Sequence, residues 1–146
     1  MNFRRLASAA VAAWIVSLPL GFLVNDVLLA DLTAANAAVM RPEAEIMANL
    51  PLGFAFLLLG FFAFAYAFAK GYEGGGGVVE GARFGAVVAI VVCGFGLIWQ
   101  YVVYPINATY AAAIMIDSII ELSIYGAIVG AIYKPFATGS ERTAAV

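Results

Sequence analysis

The sequence predicts an all-α fold: an integral membrane bundle of four antiparallel transmembrane helices. Three observations lead there. Of the 146 residues 65% are hydrophobic, only 11% are charged, and the mean hydropathy is +1.02. A soluble domain of this length could not cover so much apolar surface, so the solvent must be lipid. Four apolar runs, each near the roughly 20 residues that span a hydrocarbon core, fill almost the whole chain. Short polar or glycine-rich stretches separate them and leave no room for a soluble domain.

The first span is assigned to residues 6–29, after a basic leader containing Arg4 and Arg5. A signal peptide is the competing reading, since residues 34–38 offer small side chains for cleavage. The apolar run is longer than an ordinary signal core, which favours a retained span. Pro19 and Gly21 are expected to bend it, which lipid tolerates when neighbours satisfy the freed carbonyl. Asn25 and Asp26 lie near its far end. Residues 31–49 read as the one sizeable loop, with a short interfacial helix where Pro42 precedes two acids. The second span covers 50–69, with Pro51 at its start. It is crowded with Phe54, Phe56, Phe61, Phe62, Phe64, Tyr66 and Phe68. The alternation at 63–69 imitates a strand, but a continuous run of this length in lipid must be helical.

Residues 70–77 (KGYEGGGG) form a hairpin connection, since a run of glycines cannot hold a helix. No Lys-Ser or Lys-Thr follows, so this is not a phosphate-binding P-loop. A plain turn is the first reading and an anion site at the next helix start the second. The third span covers 78–104. Gly81 and Gly85 give it a smooth face, Gly94 and Gly96 a second, and Trp99, Tyr101 and Tyr104 an aromatic belt. A turn at PINATY follows. Its Asn107-Ala108-Thr109 matches a glycosylation acceptor but lies too close to the membrane to serve as one. The fourth span, 111–133, carries Gly126 and Gly130, ends at Lys134-Pro135 and leaves a polar tail.

Arg4, Arg5, Lys70, Arg83, Lys134 and Arg142 fall on one side of these spans and Arg41 alone on the other. The positive-inside rule then makes both termini cytoplasmic, with Lys70, Arg83 and Lys134 at the cytoplasmic interface. The second and fourth spans each end in an aromatic residue and a lysine. A duplicated hairpin would explain this, and so would ordinary interface anchoring.

The chemistry open to such a chain is narrow. It has no His and a single Cys, which excludes His-ligated zinc or haem and an internal disulfide, and nothing calls for a cofactor or metal. A net charge of −2 and a pI near 4.9 exclude a basic nucleic-acid surface. What stands out is Asp117 and Glu121 inside the fourth span. Four residues apart, they share one helix face about 6 Å from each other. A lipid-facing acid at this depth costs about 2.5 kcal/mol or more, so both must face protein or trapped water.

By depth, Glu121 lies near the midplane, while Asp117, Gln100, Asn25 and Asp26 fall in the outer half and are expected to cluster. On the functional reading, the two acids line a pocket for a cation, a proton or a polar ligand. The bland alternative is neutral carboxyls that hydrogen-bond across helices to Tyr, Ser or backbone groups. The faces Gly81/Gly85 and Gly126/Gly130 serve internal packing or receive a foreign helix. The aromatics of the second span face lipid by default, with a cofactor or partner as the alternatives.

At residues 41–54 (RPEAEIMANLPLGF) and 70–85 (KGYEGGGGVVEGARFG), the chain resembles small four-helix bacterial inner-membrane proteins of unknown function. The resemblance covers most of the chain, through hydropathy and a basic, glycine-rich lead into the third helix. It implies a multi-pass protein of the bacterial inner membrane and assigns no site residues. The function expected is non-enzymatic. A small accessory subunit would sit in the bilayer beside a larger membrane complex, respiratory or photosynthetic, or self-associate. The runner-up is a small oligomeric transporter or channel with Asp117 and Glu121 in its pathway. An enzyme ranks third, because no nucleophile–base pair is visible.

Overall fold

The computed structural model describes residues 1–133; Lys134, Arg142 and the polar tail lie outside the described residues. All regular structure among the described residues is helical. Helix α1 (Phe3–Phe22) runs on through a π-helical stretch, Leu23–Leu28. A short α2 (Ala30–Ala35) and a 3-10 turn (Ala37–Val39) lead to α3 (Glu43–Gly71). Helix α4 (Gly77–Val92) continues through a second π-helical stretch, Cys93–Leu97, into α5 (Ile98–Val103), and α6 spans Ala108–Tyr133. Four rods result: Phe3–Leu28, Glu43–Gly71, Gly77–Val103 and Ala108–Tyr133. With mean hydropathies of 2.0, 2.2, 2.2 and 1.8, each is long and apolar enough to cross a membrane.

Local chemistry explains the helix starts and the internal polar atoms. Asn2 caps α1, its Oδ1 accepting from the Arg5 amide at 3.2 Å. Ser17 donates to Trp14 O at 2.7 Å and Asn25 to Gly21 O at 2.9 Å. Short polar side chains thus return to their own helix, which hides their polarity from an apolar surround.

The segment 31–49 is not the loop expected from the sequence. Helix α2 and the 3-10 turn fill its first part, and α3 begins at Glu43, so Pro51 lies inside a helix rather than at its start. Pro42 stands just before α3 in extended conformation, and Glu43 and Glu45 complement the positive end of the helix. Pro51 removes one amide donor. Continuing the helix still satisfies far more backbone than a loop would in an apolar surround.

The closest packing is between the antiparallel α4 and α6. Gly81 lies against Gly126, Gly85 against Leu122 and Ser123, and Gly130 against Gly77. A Cβ on Gly81, Gly85, Gly126 or Gly130 would overlap a carbonyl oxygen of the opposite helix. Backbone therefore rests on backbone, held by dispersion and Cα–H···O contacts. The Gly81/Gly85 and Gly126/Gly130 faces meet each other rather than a foreign helix.

Helix α1 packs on α3 and α6 through a smooth face of Leu6, Ala9, Ala10 and Ala13. Ring contacts Phe61–Tyr125 (5.1 Å) and Phe68–Tyr133 (6.3 Å) join α3 to α6 and show that these two helices run parallel. The aromatics of α3 thus divide. Phe61 and Phe68 are core, Phe62 and Phe64 half-buried, and Phe54, Phe56 and Tyr66 exposed.

Nearly all of the core gathers at the end of the bundle that holds the chain start, the glycine connection and Tyr133. Towards the other end the packing thins, and Val24, Asn36 and Ala111 are the buried residues there. That end is tied by Asn36, whose amide donates to Leu32 O and whose Oδ1 accepts from the Asn107 amide, each at 2.7 Å.

Candidate functional site

The fold leaves a lateral cleft between α3 and α4, floored by α6. The glycine contacts draw α4 onto α6, while α3 is held by α1 and α6. Towards the Lys70 end the gap is closed by Phe84, whose ring meets Phe64 at 4.9 Å and Phe68 at 5.6 Å. Beyond those rings a cavity of about 410 Å³ opens, within the usual range of small-ligand pockets. Helix α3 contributes Leu57, Gly60, Phe61 and Phe64 to its wall, and α4 contributes Phe84 and Val88. Gly60 matters because it supplies no side chain: a Cβ there meets nothing within 4 Å.

The polar groups of the cleft all come from α6: Ser118, Glu121 and Tyr125. They share a face because they are three and four residues apart. Tyr125 Oη donates to Glu121 Oε2 at 2.9 Å. Glu121 Oε1 is buried and has no hydrogen-bond partner. No Lys or Arg lines the cavity, so the carboxyl has no counter-charge there. An acceptor left unsatisfied in an apolar surround costs about 1–3 kcal/mol, and more if charged. The geometry is therefore that of a hydrophobic slot with a single carboxyl residue, Glu121, in its wall.

The other polar residues singled out from the sequence are dispersed. Asp117 is half-buried one turn before Glu121 and is not part of the cleft wall. Asn25, Asp26 and Gln100 are exposed, and Asn25 bonds back to its own helix. No hydrogen bond among the described residues joins Asn25, Asp26, Gln100 and Asp117, which all sit where the packing thins. Equal depth in a membrane does not bring helix faces together. The i, i+4 spacing makes the Glu121–Tyr125 contact visible in principle, whereas which second-span rings wall the cleft is not written in one sequence.

At the glycine connection, Glu80 reaches back from the first turn of α4. Its Oε1 accepts from the Glu73 amide at 2.6 Å and its Oε2 from the Gly75 amide at 2.9 Å. Two amides of the connection are thus taken by the chain's own carboxylate, which closes it as a turn. Arg83 is exposed and makes no ion pair with Glu80, while Lys70 lies over the Tyr66 ring at 5.8 Å. The ion pair found among the described residues is the exposed Arg41–Glu45, 3.3 Å apart. Among those residues no group of three or more His, Cys, Asp or Glu could hold a metal ion. Cys93 is a free thiol lying 3.7 Å from Met115 O.

Compared with protein-family models, curated proteins and solved structures, the chain matches none.

Proposed function

We propose that this chain is a multi-pass protein of the bacterial inner membrane with both termini in the cytoplasm. Its role is that of a small, non-enzymatic accessory subunit packed beside a larger membrane complex, respiratory or photosynthetic in kind. The observation that carries the reading is the third rod. Its glycine face is spent on α6 and Phe84 meets α3, but a long apolar face of it stands free. Val87, Ile90, Trp99 and Val102 are exposed, and Phe95 is 86% exposed. Lipid can cover such a face, and so can the helices of a neighbour, where aromatic anchors carry much of the energy. The distribution of basic residues supports the orientation.

Purification from native membranes in a mild detergent tests this. The chain is expected to co-migrate with a larger assembly, and its recovery solely as a homo-oligomer would refute the reading. A second reading, transport through an oligomer, is favoured by the free oxygen of Glu121. It requires a flux into liposomes that Glu121→Gln abolishes.

A further inference from the structure

The cleft between α3 and α4 has a shape and a chemistry that specify more than a membrane subunit needs. Three features bear on what could enter it. The first is depth. Glu121 stands 13 residues after Ala108 and 12 before Tyr133, at the middle of α6. That places its carboxyl about 18–20 Å of helix from either end. A phospholipid headgroup does not reach this depth, so the carboxyl cannot be satisfied by the ammonium of an ordinary lipid.

The second feature is the division of labour within the carboxyl. Tyr125 already donates to Oε2, and Oε1 is buried without a partner. The third is the wall. The rings of Phe61, Phe64 and Phe84 line the space, and no basic side chain is present to neutralise Glu121. A carboxylate in low dielectric attracts a cation strongly, and aromatic faces add a cation–π contribution. Hydrocarbon alone would fill the slot and leave the Glu121 carboxyl without a counter-charge.

We infer that this cleft is a binding site for a lipophilic amine: an aryl or alkyl body against the three Phe rings and a protonated nitrogen paired with the Glu121 carboxyl. The site is the one on which the transport reading rests, but binding does not require that the ligand be moved. Entry is sideways between α3 and α4, past Gly60, where the wall has no side chain. The ligand's charge meets that of Glu121 inside the slot, so the complex is neutral and tolerates the apolar depth. Tyr125 is a positioning residue, which holds the Glu121 carboxyl through Oε2.

The test uses the full chain in phosphatidylcholine nanodiscs, with binding to empty nanodiscs subtracted. The probes are a naphthylmethyl alkylamine, cationic at neutral pH, and its uncharged ether of the same shape. The amine is expected to bind at least about tenfold more tightly than the ether, because only it pairs with the buried carboxylate. Glu121→Gln should remove that preference, and Asp117→Asn should preserve it. Gly60→Leu adds bulk where a Cβ meets no neighbour, so it leaves the fold intact and should abolish binding of both probes. Equal affinity for amine and ether in the native chain would overturn the inference. So would unchanged amine binding in Gly60→Leu, a result that stands even if Glu121→Gln fails to fold. Failure of these tests leaves co-migration with a larger complex untouched, and failure of liposome flux leaves binding untouched.

Discussion

Replacing Gly126 by Ala adds one methyl group where the backbones of α4 and α6 meet. The new Cβ would lie 2.8 Å from the carbonyl carbon of Gly81 and 3.1 Å from the Gly85 nitrogen, and would overlap the Gly81 carbonyl oxygen. All three obstacles are backbone, so no rotamer change relieves them. Helices α4 and α6 must instead move apart, losing the contacts made along Gly77, Gly81 and Gly85. Overpacking of this kind costs about 1–3 kcal/mol, and the close helix approach it destroys adds to that.

The reciprocal change, Gly81→Ala, meets Gly126 in the same way. The same separation relieves both substitutions, so the double variant should cost clearly less than the sum of the two single ones. Gly53→Ala is the control. Its Cβ meets nothing within 4 Å, and in a helix the exchange is expected to be neutral or to stabilise by up to about 1 kcal/mol. Reversible unfolding in mixed micelles measures all four variants. If Gly126→Ala were as stable as Gly53→Ala, the backbone-on-backbone packing of α4 and α6 would be refuted.

Two further outcomes are expected. Asn36→Ala removes the acceptor of the Asn107 amide and the donor to Leu32 O, which costs about 1–3 kcal/mol locally; hydrogen exchange at Asn107 should rise while exchange at Val129 stays slow. In a background with Cys93 replaced by Ala, a cysteine at Asn2 should resist a membrane-impermeant maleimide added to whole cells, and one at Ala38 should react. The opposite pattern would invert the proposed orientation.

How much could be read in advance depends on which physical constraint acts. The four rods were legible because each apolar run, placed in lipid, has only one way to satisfy its backbone. Their ends were less so. Pro51 reads as a helix start in isolation, yet α3 begins at Glu43, because the energetic gain of unbroken backbone bonding exceeds the loss of one donor. The polar residues divide along the same line. Glu121 and Tyr125 are partners through local helical spacing, which a sequence contains. The expected cluster of Asn25, Asp26, Gln100 and Asp117 required particular rotations of three helices about their axes, which a sequence does not contain.

What the sequence determined by itself is therefore the helical class, the number of long apolar helices, the smooth glycine faces and the presence of an acid in mid-helix. Hydropathy and spacing are local properties, and these features follow from them. Only the tertiary structure decided that Gly81 and Gly85 rest on Gly126 and Leu122. That contact draws α4 away from α3 and leaves a cleft with the Glu121 carboxyl in its wall. The choice of partner for each helix face is a competition among all faces at once, and it is settled by which backbones can approach most closely.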